Sequence, residues 1–186
     1  EICTENKVLF MADEIQAGLG RTGKMFCVDH EDVRPDVFIL GKAISGGVLP
    51  VSAVTASKEI LGVFRPGDHG STFGGAPLGA AVAREALKVI LEEDLVKKAE
   101  EQGAYFRAKL ESLVGDRVAK GRGRGLLLAV VLTEKAGKAR PYCQALMDEG
   151  LLAKETHDSI IRFAPPLVIS REELDWAFER IQGVLG

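Results

Sequence analysis

The stretch "DVFILGKAISGG", residues 36–47, decides how this chain is read. The four apolar residues at 37–40 show no polar alternation, which suits a strand covered on both faces, as in a parallel sheet. One glycine later comes a single primary amine, Lys42, and Gly46 and Gly47 clear space beyond it. An amine at the mouth of a buried strand either snorkels to solvent or stands ready to form a covalent bond.

Two further apolar runs flank this one. Residues 8–11 read as a buried strand ending in the acidic pair Asp13-Glu14, and residues 51–55 read as another. Asp13 and Lys42 each lie just past the carboxyl end of an apolar run, the edge at which parallel sheets bind ligands. If the two strands run the same way, both side chains face one crevice. A carboxylate and an amine converging there fit a structural ion pair, a general acid/base pair or a cofactor clamp, and Gly41, Gly46 and Gly47 leave room for something bulky and planar.

The pattern changes after about residue 80. Ala83, Ala86, Leu87, Ile90 and Leu91 recur at helical spacing, as do Leu95, Ala99, Phe106, Leu110 and Leu113. Residues 126–132 are apolar throughout and predict a central strand. A weaker helix is expected over 139–149, stopped by Gly150, and two short strands within "LLAKETHDSIIRFAPP". The capping box Ser170-x-x-Glu173 opens a last helix that buries Leu174, Ala177, Phe178, Ile181 and Leu185. The expected division is residues 1–92, rich in glycine, strand and loop, and residues 93–186, a compact α/β unit.

Composition excludes several classes. The chain has 186 residues, 46% hydrophobic and 27% charged, ordinary for a globular protein. With 27 acidic and 24 basic side chains mixed throughout, there is no electrostatic case for nucleic acid or an anionic membrane. No apolar run approaches the ~20 residues of a membrane span. Cys3, Cys27 and Cys143 form no C-x-x-C pair, and the three histidines show no ligand spacing, so neither a metal site nor a disulfide framework is indicated. The opening "EICTENKVLF" has no initiator Met and no targeting segment. It reads as a chain entered in its middle, leaving cytoplasm and mitochondrial matrix both open.

Two glycine-rich stretches resemble phosphate loops. "GLGRTG", residues 18–23, spells G-x-G-x-x-G, but Asp13 to Gln16 separate it from the strand and no amphipathic helix follows, so a tight turn is expected. "GRGRG", residues 121–125, leads straight into the apolar run and is likewise expected to be a turn.

The motifs "ADEIQAGLGRTGKMF", "DVFILGKAISGGVLPVSAV", "GDHGSTFGG", "RGRGLL" and "IIRFAPPLVIS" occur in this order, spread over essentially the whole chain. Together they resemble the carboxyl half of the class III pyridoxal-phosphate aminotransferases. Within these the likeness is closest to the ornithine δ-aminotransferases; acetylornithine and GABA aminotransferases share the D-E-x-Q and G-K motifs. The resemblance implies an α/β fold: the end of the large cofactor domain, with a mostly parallel sheet, plus a small C-terminal α/β domain. It implies transfer of ornithine's δ-amino group to 2-oxoglutarate through pyridoxal 5′-phosphate, giving glutamate and glutamate semialdehyde. Lys42 would bond to the cofactor and shuttle the proton, jobs that need a neutral amine of the kind a desolvated strand end provides. Asp13 would pair with the pyridinium nitrogen and Gln16 with the phenolic oxygen. Ser71 and Thr72 would reach a cofactor phosphate, Thr72 that of the neighbouring subunit, making the enzyme a homodimer.

Arg162 would take the carboxylate of glutamate or 2-oxoglutarate. Strand periodicity puts it on one face with Ile160 and Ala164, and Ile161 and Phe163 on the other; its planar fork suits a carboxylate. Two departures stand out. Ala76 occupies a place where the family usually has Asn, and the family's chains are about twice as long, so these residues alone are expected to turn over ornithine poorly or not at all. The rival from another class is a non-catalytic α/β binding module in which Lys42 and Asp13 are only an ion pair; a nucleotide-binding oxidoreductase is the third reading.

Overall fold

In the computed structural model, which describes residues 1–186, the run at 37–40 is a strand and the chain divides into two units, Glu1–Leu19 with Lys24–Asp94, and Gly20–Gly23 with Leu95–Gly186.

The first unit holds strands β1 (Met11–Asp13), β2 (Val37–Leu40) and β3 (Ala53–Ala56) in that order, with helices α1 (Ile2–Glu5), α2 (Lys58–Leu61) and α3 (Pro77–Glu92). β1 and β2 pair in parallel, Met11 opposite Val37 and Asp13 opposite Ile39. β3 pairs antiparallel to β2, with Leu40 opposite Ala53. The three strands of this sheet are therefore mixed, one parallel pair and one antiparallel. The link from β2 to β3 holds only the 3-10 turn Lys42–Ser45, and a parallel return needs a longer crossover, usually a helix. β1 also starts later than its apolar run suggests. Val8, Leu9 and Met11 are exposed, and only Ala12 points inward.

The second unit holds α4 (Leu95–Glu111), β4 (Val118–Arg124), β5 (Leu127–Leu132), α5 (Ala139–Asp148), β6 (Lys154–Thr156), β7 (Ile160–Phe163) and α6 (Arg171–Leu185). Its sheet runs β4-β5-β7-β6 and is antiparallel throughout. β5 alternates strictly: Leu128, Val130 and Leu132 enter a core shared with Ile161 and Phe163 and with helix residues such as Phe106, Leu110, Leu146 and Ile181. Each such fully buried side chain is stabilising by about 1.5–3 kcal/mol. The stretch at 121–125 differs from the turn expected of it: it is mostly strand, and only Gly125 and Leu126 turn the chain between paired Arg124 and Leu127. Gly103 on α4 allows that turn to pack, since a Cβ there would overlap the Gly125 carbonyl group.

α6 starts with a complete capping box: Ser170 Oγ accepts from Glu173 N (3.1 Å) and Glu173 Oε2 accepts from Ser170 N (2.8 Å). α4 and α6 are joined by Asp175, which accepts from the Tyr105 hydroxyl and from Lys109 Nζ (2.8 Å). Lys109 holds the Asp175 carboxyl below the ordinary carboxylate range, and Asp175 raises the Lys109 ammonium. A depressed carboxyl stabilises the fold above its unfolded pKa and loses that effect as pH falls through the folded value; the raised lysine loses its share only as pH climbs through its own folded value. The pair is thus fully effective at neutral pH. Asp175→Asn is expected to make the melting temperature fall less between neutral and acid pH than in the parent, as thermal unfolding across that range would measure.

Candidate active site

The parallel pairing of β1 and β2 sends Asp13 and Lys42 off the same edge of the first unit's sheet. Asp13 is the last residue of β1; Lys42 follows β2 after Gly41 alone. The next amide, Glu14 N, donates to the Ile39 carbonyl (3.0 Å), locking the two strand ends together. Asp13 Oδ1 accepts from Ile15 N (3.1 Å), which turns the chain at the strand end and fixes the carboxylate. Further along this turn, Gln16 Oε1 accepts from Lys42 Nζ (3.0 Å). Gln16 and Lys42 are thus bonded to each other at the sheet edge where β1 ends in Asp13.

Lys42 has φ 45°, a left-handed conformation that costs a non-glycine residue about 1–3 kcal/mol and that clusters at functional positions. Glycines flank it on both sides. Gly41 passes close under Ile15, where a Cβ would come within 3.2 Å of Ile15 Cγ2, and Gly46 closes the 3-10 turn with φ 57°. A Cβ built on Gly47 would meet nothing within 4 Å, so the chain leaves open space at this glycine just past the turn. One expectation is corrected: Lys42 and Asp13 are both exposed, so the strand end does not by itself desolvate the amine.

Glu14 carries no role in the sequence reading, yet it is 2% exposed. Its two carboxylate oxygens accept from Cys27 N (2.8 Å) and Val28 N (2.9 Å). A buried carboxylate satisfied by two backbone amides anchors the loop that carries Gln16, and Gly18 packs against it. Only its adjacency to Asp13 hints at this in the sequence.

Ser71 and Thr72 sit on the exposed loop between α2 and α3, beside Phe73, which is 82% exposed. Ala76 is the N-cap of α3 and provides no side-chain acceptor, the position where an Asn would cap well; Pro77 at N1 lacks one of the amides that the helix start leaves unpaired.

In the second unit, Arg162 lies on β7, half-buried, on the face opposite Ile161 and Phe163. The register aligns Arg122 on β4, Ala129 on β5, Arg162 on β7 and Lys154 on β6 across one row. Lys120 and Arg124 project from the same face at neighbouring rows. This strand face carries cations and no acidic side chain, and Arg162 has no ion-pair partner in its own unit. The row is invisible in the linear sequence because it depends on the register of four strands.

No group of His, Cys, Asp and Glu side chains could hold a metal ion, and no helix is long and apolar enough to cross a membrane.

The sequence pattern of the family described as aminotransferase class-III matches residues 1–185. Ornithine aminotransferase 2 of Staphylococcus saprophyticus is 56% identical over 184 residues, which are 99% of this chain and 46% of that protein. The ornithine aminotransferase of Bacillus subtilis is 57% identical over 184 residues, 99% of this chain and 45% of its own length. Among solved structures, an ornithine aminotransferase from Plasmodium yoelii superposes with a TM-score of 0.94 at 45% identity, covering 99% of this chain and 49% of its own. An acetylornithine aminotransferase from Elizabethkingia anophelis superposes at 0.91 with 48% identity, over 99% of this chain and 47% of its own. This chain spans about half the length of the relatives it matches. The α/β architecture with its mixed sheet, the paired strand ends and these matches lead to one conclusion: the chain belongs to the class-III aminotransferase family.

Proposed function

We propose that these residues are the carboxyl part of an ornithine aminotransferase, which moves ornithine's δ-amino group to 2-oxoglutarate and yields glutamate and glutamate semialdehyde. The observation that carries this reading is the amine of Lys42 beside Gln16 at the sheet edge it shares with Asp13. Residues 1–92 belong, in this reading, to a cofactor domain and 93–186 to a small domain. The names of the relatives at 56–57% identity favour ornithine as amino donor. Acetylornithine is the second reading, supported by a structural neighbour at 48% identity. With 2-oxoglutarate as acceptor, the full-length enzyme should show a higher kcat/KM for ornithine than for acetylornithine; the reverse order would transfer the assignment to the second reading.

The cofactor is pyridoxal 5′-phosphate. The residues present fit it: a primary amine bonded to an amide side chain, a carboxylate fixed by a backbone amide at the same sheet edge, and open space at Gly47. When bound, the cofactor supplies an aldehyde carbon for amine attachment and a ring that withdraws electrons from the reacting carbon. Lys42 would hold the group covalently and would take up and return a proton at its Nζ. Asp13 would keep a proton on the ring nitrogen, and Gln16 would offer a hydrogen bond to the phenolic oxygen. Ser71 and Thr72 would serve the phosphate, Thr72 that of a second copy. The exposed Val63, Phe64 and Phe73 on the same loop are apolar surface that such a copy would cover.

Arg162 orients the carboxylate of 2-oxoglutarate or glutamate, supported by its acid-free strand face. Arg162→Gln should raise the KM for 2-oxoglutarate by about 10²-fold, the scale of removing one partner from a desolvated charge pair. Steady-state kinetics with 2-oxoglutarate varied would show it, and an unchanged KM would remove Arg162 from the substrate site.

A further inference from the structure

Residues 20–23 belong to the second unit, although the chain on both sides of them belongs to the first. Gly20 and Gly23 have φ of 88° and 86° and let this strap press onto the unit's backbone. A Cβ on Gly23 would come within 3.0 Å of Glu100 Cα, and one on Gly20 within 3.4 Å of Leu167 and Val96. The glycine spacing that imitates a phosphate loop thus serves close packing.

At the centre of the strap, Arg21 is tied at three points. Its Nη1 donates to the Leu126 carbonyl (3.2 Å) and to the Pro165 carbonyl, and its own carbonyl accepts from Leu126 N (3.0 Å). Leu126 is fully buried and immediately precedes β5. Pro165 lies three residues past Arg162, on the segment leaving β7. β5 and β7 are antiparallel neighbours with Leu128 opposite Phe163 and Ala129 opposite Arg162, so the start of β5 and the exit of β7 lie at the same end of the pair.

We propose that Arg21 is a positioning residue for Arg162: by bridging the start of β5 and the exit of β7, it fixes the direction from which Arg162 meets a substrate carboxylate. β7 is only four residues long, and Arg162 is one residue from its end. Pro165 and Pro166 have no N–H to extend the ladder, so the Arg21 bridge stands where further strand pairing would otherwise hold the end. Burial lowers the Arg21 guanidinium from its ordinary value, in keeping with a dry site where losing a charge-assisted hydrogen bond is costly. The proposal rests on the carboxylate role given to Arg162 above.

The test is steady-state kinetics of the full-length holoenzyme with 2-oxoglutarate varied, comparing Arg21→Gln, Arg21→Lys, Arg162→Gln and the double variant R21Q/R162Q. Arg21→Gln is expected to raise the KM for 2-oxoglutarate about tenfold, the scale of a lost hydrogen bond to a charged group, with kcat and cofactor absorbance little changed. Arg21→Lys keeps the charge but ends one bond short of Nη1, and its KM should fall between parent and Arg21→Gln. In the R162Q background, adding R21Q should raise KM no further, because its effect runs through Arg162. A parental KM in Arg21→Gln alongside a raised KM in Arg162→Gln would overturn the proposal and leave the role of Arg162 standing. An unchanged KM in Arg162→Gln would instead bring down the carboxylate reading itself. If Arg21→Gln does not fold, Arg21→Lys decides: a raised KM with retained kcat supports the proposal. An Arg21→Lys protein that loses cofactor or solubility overturns it, since Arg21 would then support the fold at large.

Discussion

Lys42→Ala is expected to lower kcat for the ornithine and 2-oxoglutarate reaction by about 10⁴-fold, the upper range for removing a positioned acid/base group. The size follows from the assignment of two tasks to one nitrogen, holding the cofactor and moving the proton. Neither Gln16 nor Asp13 can substitute for it. Gln16, the side chain bonded to Lys42 Nζ, has no basic nitrogen, and Asp13 is held by the Ile15 amide. The fold should tolerate the change. Lys42 is exposed and follows the strand rather than packing in it, and losing its long side chain leaves the glycine frame around residues 41–47 untouched. Stopped-flow absorbance of the holoenzyme mixed with ornithine would separate the chemical step from binding. A Lys42→Ala enzyme that still reacts within about tenfold of the parent rate, far short of the loss general acid/base catalysis predicts, would contradict the role.

Asp13→Asn should lower kcat by about 10²–10³-fold, the scale set by removing one preorganised electrostatic partner, while KM for both substrates changes little. The substitution is nearly isosteric. Asn keeps an Oδ1 that can still accept from Ile15 N, so the turn after β1 survives and the effect reports charge rather than collapse. What disappears is the anion proposed to hold a proton on the ring nitrogen. An independent readout is the pH at which the absorbance of bound cofactor changes, which should shift in Asp13→Asn and stay put in a variant of Asp175, whose partners are Tyr105 and Lys109. Unaltered kcat together with an unaltered absorbance profile would show that Asp13 faces something other than the ring.

Particular residues show why parts of this molecule are legible in sequence. β2 and β5 announce themselves because each is buried or half-buried on both faces, which favours apolar residues in unbroken order. α6 is legible to its first residue because Ser170 and Glu173 satisfy the helix's own free amides, a local event. β4 is not legible. Its "AKGRGR" lacks any apolar stripe, and it is a strand only because β5 supplies the pairing. The direction of β3 is equally non-local, being set by the absence of a crossover helix rather than by anything in residues 53–56. The same division governs the candidate site. Asp13 and Lys42 are legible as strand-end residues, since apolar runs stop at polar ones. The buried carboxylate of Glu14 and the double bridge of Arg21 depend on amides and carbonyls far along the chain, which no local pattern encodes.

The most direct measurement is borohydride reduction of the full-length holoenzyme, followed by mass mapping of its peptides. The account predicts a single reduced cofactor adduct on the Nζ of Lys42, the amine beside Gln16 at the edge that β1 and β2 share. An adduct on any other lysine, or bound cofactor that no lysine retains after reduction, would contradict it.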